Sequence, residues 1–243
     1  MAMELEEYAR IADAEQRHWW YRAMPDLVRT LLGDRLRGGI RILDAGCGPG
    51  ANYDWLSDYG EVVGADFSPE AVRLAGERHP GMEARQADIT ALPFGDASFD
   101  VAIEITVLTV VEDDRRAVAE LARVTRSGGS VLLLEPAIPR LRREHDAVQG
   151  TVRRYSLERL RSLASDAGMT VARATYANSF LVAPAVGQAI AQRLRPRGSA
   201  PTSDLEHDRL GGVFGRLAAA ERRLLARRDL PLGLSAAVVA GKP

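Results

Sequence analysis

The stretch "ILDAGCGPGANYDWL", residues 42–56, sets the reading of the whole chain. An apolar run closes on Asp44, then Gly46, Gly48 and Gly50 follow at alternate positions, and a helical pattern begins after them. This is a strand, a tight loop and a helix, with glycines where a ligand must approach the main chain without an intervening Cβ. "GCGPGA" satisfies the dinucleotide fingerprint G-x-G-x-x-G/A, and Asp66 stands twenty residues after Gly46, where a ribose-binding carboxylate belongs. Alone, that pattern serves NAD as well as any other nucleoside cofactor. Asp44 separates them: a carboxylate at the strand end would repel a pyrophosphate brought to the helix N-terminus, so the ligand carries a cation near this point. Asp88, in "QADITALPF" after the third strand, is positioned to accept a hydrogen bond from an adenine amine.

The 243 residues, 46% hydrophobic and 27% charged with a formal net charge of -1, fit one globular domain with an elaboration. Such a balance gives no basic excess for nucleic acid. The acidic, polar N-terminal stretch and the absence of any segment of membrane-spanning length predict a cytoplasmic protein without stable membrane insertion. Cys47 is the only cysteine, which excludes an intramolecular disulfide and a cysteine-based metal cluster.

Outward from the glycine loop, strands alternate with helices. Strands are predicted at 40–44, 61–66, in "MEARQAD", at 99–105 and at 129–136, the last after the turn signal Ser127-Gly128-Gly129. Helices are predicted at 51–58, in "SPEAVRLAGER" with Ser68 as cap and Pro69 at its first position, and in "DRRAVAELARV". A helix capped by Ser156, a sixth strand "TVARATYAN" and a seventh in "PLGLSAAVVAGK" complete the alternation, which implies a mostly parallel sheet covered on both faces. Residues 3–17 and 21–33 have helical spacing, separated by the aromatic cluster "HWWYR". A single domain is therefore expected: an N-terminal helical cap (1–35), a cofactor-binding core (36–136), an acceptor-side loop, helix and sixth strand (137–180), a helical insertion (181–229) and a last strand (230–243).

"ILDAGCGPG", "VVGADFS", "QADITALPFGDASFDVAI" and "VTRSGGSVLLLEP" follow one another in an order and spacing that resembles the class I S-adenosylmethionine-dependent methyltransferases, with looser likeness elsewhere to a small-molecule, natural-product subgroup. The resemblance implies an α/β, Rossmann-like, seven-stranded fold and S-adenosyl-L-methionine as cofactor. It implies that Gly46, Cys47 and Gly48 face the methionine and ribose portions, that Asp44 lies near the ammonium, and that Asp66 holds both ribose hydroxyls. Phe67 and Ile89 would flank the adenine, with Asp88 on its amine, and Glu104 would complete the set. Trp20 and Arg22 are candidates to close over the cofactor, Arg22 on its carboxylate.

Methyl transfer from a sulfonium needs positioning and exclusion of water, and a base only for a protonated acceptor. His145 and His18 are the candidate bases and Tyr155 a further catalytic candidate, while Tyr21, Asp146 and Arg154 are candidates for binding substrate. Two positions depart from related sequences: Val110 and Thr151 stand where histidines are common. That favours catalysis by positioning of a small-molecule acceptor, with a monomer or homodimer as the working form. The rival readings are a cofactor-binding but inactive partner of another methyltransferase, and an NAD(P)-dependent oxidoreductase. Helices of the insertion such as "LVAPAVGQAIAQRL" can roof the acceptor pocket, pack on the sheet or form a dimer surface.

Overall fold

The computed structural model describes residues 11–15, 17–141, 146, 149–193 and 211–243. Its strands are β1 Ile40–Ala45, β2 Gly60–Asp66, β3 Glu83–Gln86, β4 Phe99–Ile105, β5 Thr125–Pro136, β6 Thr170–Ala177 and β7 Ser235–Gly241. They form one sheet in the order β3-β2-β1-β4-β5-β7-β6, parallel from β3 to β5, with β7 antiparallel to both its neighbours. The helices are α1 Trp19–Leu32, α2 Tyr53–Leu56, α3 Pro69–Arg78, α4 Asp114–Val124, α5 Leu157–Asp166, α6 Val182–Arg193 and α7 Gly211–Leu225.

Alternate residues of the central strands supply two separate cores because successive side chains leave opposite faces of a sheet. Leu43, Val63, Ala102, Leu133 and Val238 pack beneath α4 and α5, whose Leu121 and Leu160 are fully buried. Ile42, Val62, Ile103, Leu132 and Val239 pack beneath α1 and α7, through Leu27, Leu31 and Leu225. Oxygen caps start the helices as the sequence predicts: Ser68 accepts the Ala71 N–H at 3.3 Å and Ser156 the Arg159 N–H at 3.2 Å.

Two local expectations change. The break between the two N-terminal helical stretches is shorter than "HWWYR": residues 11–15 and 17 are helical, His18 alone interrupts and caps α1, its Nδ1 accepting the Trp20 N–H at 3.3 Å, and the aromatic residues form the first turn of α1. Ser127-Gly128-Gly129 is not a turn before the fifth strand but a bulge inside it, since Phe99 pairs with Thr125 and Val101 with Ser130. A Cβ on Gly129 would lie 2.7 Å from the Asp100 carbonyl oxygen, so the bulge needs glycine. In the insertion, α7 lies on α1, joined by an Arg222–Asp26 ion pair of 2.8 Å and by Phe214 against Trp19. Among the described residues no helix is long and apolar enough to cross a membrane.

Strand order reverses between β1 and β4, and the carboxyl ends of these strands open a crevice there.

Candidate functional site

A cleft of about 780 Å³ lies along that edge. Its floor is the loop after β1, its far wall the ends of β2 and β3, its near wall the segment after β4, and its cover Ile11, Glu15, Trp20, Tyr21 and Met24. Described residues of α6 and α7 do not line it. The cover therefore comes from the N-terminal segment, and the insertion holds that segment in place through α1.

The glycine loop is shaped by positive φ at Gly46 (82°), Gly48 (53°) and Gly50 (96°). These three positions differ in surroundings. A Cβ on Gly46 would collide with Val107, 2.0 Å from its Cγ2, whereas one on Gly48 meets nothing within 4 Å and would project into open space. Asp66 sits opposite, its two oxygens accepting the Gly48 and Ser68 N–H groups at 2.9 Å each. Those two bonds fix the carboxylate and leave lone pairs on both oxygens for a further pair of donors. Burial raises the Asp66 pKa and the two N–H groups oppose the rise.

Asp44 is buried behind the loop, and Asn52, which lines the cleft, donates to both its oxygens at 3.2 and 3.4 Å. Burial, then the charges of Asp66 and Glu15, push its pKa up to about 7. Glu15 is buried in the cover and paired with Arg78, whose Nη1 also donates to the Pro49 carbonyl at 2.9 Å; the pairing ties the cover to the loop. Three carboxyl groups thus surround one glycine loop, and among the described residues that line the cleft there is no Arg or Lys; the Arg78 partner of Glu15 lies outside the lining. A ligand bearing positive charge meets that field favourably. At the far wall Phe67 is 63% exposed, an unusual setting for an aromatic ring, and Asp88 accepts the Thr90 N–H at 2.8 Å through Oδ1. Ile89 is buried beside them.

The structure gathers Trp20, Tyr21, Gly46, Cys47, Gly48, Asp66, Phe67, Asp88 and Ile89 around the cleft, with Asp44 behind its floor. It places the other candidates elsewhere. Arg22 is exposed on α1, turned away from the face that Trp20, Tyr21 and Met24 present to the cleft. Glu104 is fully buried under the near wall. Tyr155 is fully buried as well, its hydroxyl 3.0 Å from the Leu108 carbonyl and 3.1 Å from an Asp114 carboxylate oxygen, so it braces the wall rather than reaching a substrate. Asp146 and Arg154 form a buried two-pronged ion pair (2.6 and 2.9 Å) that spends their charges on each other, and Arg154 also holds the Ala137 carbonyl. His18 is buried as the α1 cap, and His145 falls outside the described residues. Burial and the nearby Asp44 and Asp66 charges raise the Cys47 thiol well above its usual pKa, so it stands as a neutral thiol. Glu15, Asn52 and Met24 are among the neighbours that the sequence did not mark.

Residues 43–133 match the family model described as a methyltransferase domain. The chain is similar to a demethylmenaquinone methyltransferase of Renibacterium salmoninarum, 34% identical over 121 residues that make up 49% of this chain and 48% of that protein. It is 33% identical over 124 residues to a protein of Mycolicibacterium smegmatis named as an S-adenosylmethionine-dependent methyltransferase, covering 51% of this chain and 47% of the relative. The matches span about half the length of these relatives. Among solved structures, a chain of the complex between the Haloferax volcanii Trm112 methyltransferase activator and a methyltransferase superposes with a TM-score of 0.65 at 23% identity, covering 98% of this chain and 95% of the other. With the sheet order and the loop after β1 as found, residues 43–133 are the core of a class I S-adenosylmethionine-dependent methyltransferase domain.

Proposed function

We propose that the protein transfers a methyl group from S-adenosylmethionine to a small, partly apolar acceptor, a secondary metabolite by the subgroup resemblance. The observation that carries this reading is the ring of carboxyl groups, Asp44, Asp66 and Glu15, around a glycine loop whose backbone is open to the cleft. When bound there, the cofactor supplies a methyl group already activated by the sulfonium charge. In this reading Asp66 binds its ribose, Phe67 and Ile89 flank its adenine and Asp88 accepts from the adenine amine. Asp44, through Asn52, balances its positive charge.

The near half of the cleft suits such an acceptor. Val110 and Val152 are 43% and 42% exposed there, beside Val107 and Val111, with Tyr21 and Met24 above. Histidine is absent from the described residues that line the cleft. The chain then acts by holding the acceptor in line and keeping water out, which supports an acceptor that is nucleophilic without help. His18→Gln is accordingly expected to leave turnover within about threefold and the pH–rate profile unchanged, well short of the roughly hundredfold loss of a missing general base.

Incubating the protein with methyl-labelled S-adenosylmethionine and a metabolite extract tests the proposal: one or more small molecules should gain label. Cofactor binding with no labelled product from any extract fraction would support the inactive-partner reading instead.

A pH effect follows from Asp44. Its pKa in the folded protein, about 7, lies above the ordinary carboxylate value, so its contribution to stability is present at low pH and lost as pH rises through about 7. A cationic ligand favours the ionised form, so affinity runs the other way. Calorimetric affinity for S-adenosylmethionine is expected to rise about tenfold between pH ~6 and ~8 and level off above. Asp44→Asn should flatten that dependence.

A further inference from the structure

β4 and β5 end side by side in two carboxylic side chains that touch no solvent, Glu104 and Glu135. Glu104 pairs with Leu133 across the ladder, so Glu135 lies two residues further along the neighbouring strand and on the same face of the sheet. Two adjacent buried carboxylates do not both ionise. Burial raises the Glu104 pKa, and the N–H groups of Val107 at 2.6 Å and Leu108 at 3.1 Å, both donating to its Oε1, oppose that rise and favour Glu104 as the charged member of the pair. Burial and the Glu104 charge keep Glu135 protonated.

What the charge holds is a strained turn. Thr106 has φ 61°, a conformation that β-branched residues seldom adopt. With Thr106 so turned, the next two N–H groups point back to Glu104. The same turn meets both halves of the cleft. Val107 occupies the space beside Gly46, its Cγ2 being 2.0 Å from where a Cβ there would lie. On the acceptor side, the Thr109 carbonyl accepts the Val152 N–H at 2.8 Å and its hydroxyl donates to the Arg153 carbonyl at 2.5 Å. The Tyr155 hydroxyl, 3.0 Å from the Leu108 carbonyl, braces the turn from below.

We infer that Glu104 is a positioning residue: from behind the cleft it holds the strained Thr106–Val110 turn that joins the glycine loop to the opposite wall, with Glu135 as its buried neighbour. The inference rests on reading the cleft as the methyl-transfer site, though the holding of the turn is measurable without any ligand. Its weight lies in an asymmetry at Val107: the two glutamates are equally buried and both lie near the turn, but the Val107 N–H is bound by Glu104, at 2.6 Å, and not by Glu135.

The test compares E104Q and E135Q with the wild-type protein by amide hydrogen exchange at Val107 and Leu108 without ligand, and by affinity for S-adenosylhomocysteine. A carboxamide at 135 still donates to Glu104, so E135Q is expected to match wild type within about threefold in both measurements. In E104Q a neutral acceptor replaces the carboxylate, and exchange should be at least about tenfold faster with affinity about tenfold weaker. Glycine at 106 relieves the strain, so E104Q/T106G should recover affinity to within about threefold of wild type. Equal losses in E104Q and E135Q, or no recovery in the double variant, would overturn the inference and leave the pair as core packing. Should E104Q not fold, the double variant decides: folding and binding support the inference, and failure to fold overturns it. If wild type itself does not bind S-adenosylhomocysteine, the methyl-transfer reading fails, while the exchange measurement still judges the turn.

Discussion

Gly48→Val is expected to remove measurable S-adenosylmethionine binding from a protein that still folds. A Cβ at this position meets no protein atom within 4 Å, so the added isopropyl group enters the cleft and leaves the core undisturbed. Its backbone φ of 53° adds a cost of about 1–2 kcal/mol for a β-branched residue, a size that a globular domain of this length tolerates. The N–H of residue 48 also orients Asp66, at 2.9 Å, so a shift of the loop to relieve the strain would turn the carboxylate that we propose binds the ribose. Both consequences fall on the ligand, and an affinity loss of about 100-fold or more is expected, equivalent to roughly 2.7 kcal/mol. Gly46→Ala provides the contrast. There the new methyl group collides with Val107, and the thermal midpoint should fall along with binding. Calorimetry together with circular dichroism separates the two variants, and near-normal affinity in folded Gly48→Val would mean that the loop does not face the cofactor.

The glycine-loop half of the cleft was legible in the sequence because its parts are local. Asp44, Gly46, Gly48 and Asp66 sit at or just beyond the ends of strands marked by apolar runs, Asp88 just beyond the polar edge strand β3, and a parallel sheet brings such strand ends together. The acceptor half was not legible, because its contacts are distant in sequence. "RRY" at 153–155 reads as a polar, solvated stretch, yet Tyr155 finds its partners forty or more residues away at Leu108 and Asp114, and Arg154 is neutralised by Asp146. Glu104 shares the apolar register of β4 and gives no sign that Glu135 lies beside it on the next strand. The helices of the insertion read alike for a roof and for packing: an apolar stripe states that a face is buried without naming its cover. Only the fold shows α7 lying against α1.

Asp66→Ala is expected to weaken S-adenosylmethionine binding by one to two orders of magnitude while the fold persists. The carboxylate is held on the protein side by the Gly48 and Ser68 N–H groups, both at 2.9 Å, so its remaining lone pairs are set before a ligand arrives. Charge-assisted bonds to two ribose hydroxyls contribute up to about 1.5–3 kcal/mol each when fully formed, and water that enters the gap and binds the hydroxyls recovers part of this, which brings the net loss to one to two orders of magnitude. Asp66→Asn, which keeps the size but not the charge, should lie between, at about tenfold. A second consequence concerns Asp44. The Asp66 charge helps to hold the Asp44 pKa up, so its removal should move the midpoint of the affinity–pH curve below about 7. Reduced affinity with a lowered midpoint places Asp66 in the site and in the field that Asp44 feels. An unchanged dissociation constant on a folded Asp66→Ala protein would take Asp66 out of the binding site, and with it the assignment of the cleft to a ribose-bearing cofactor.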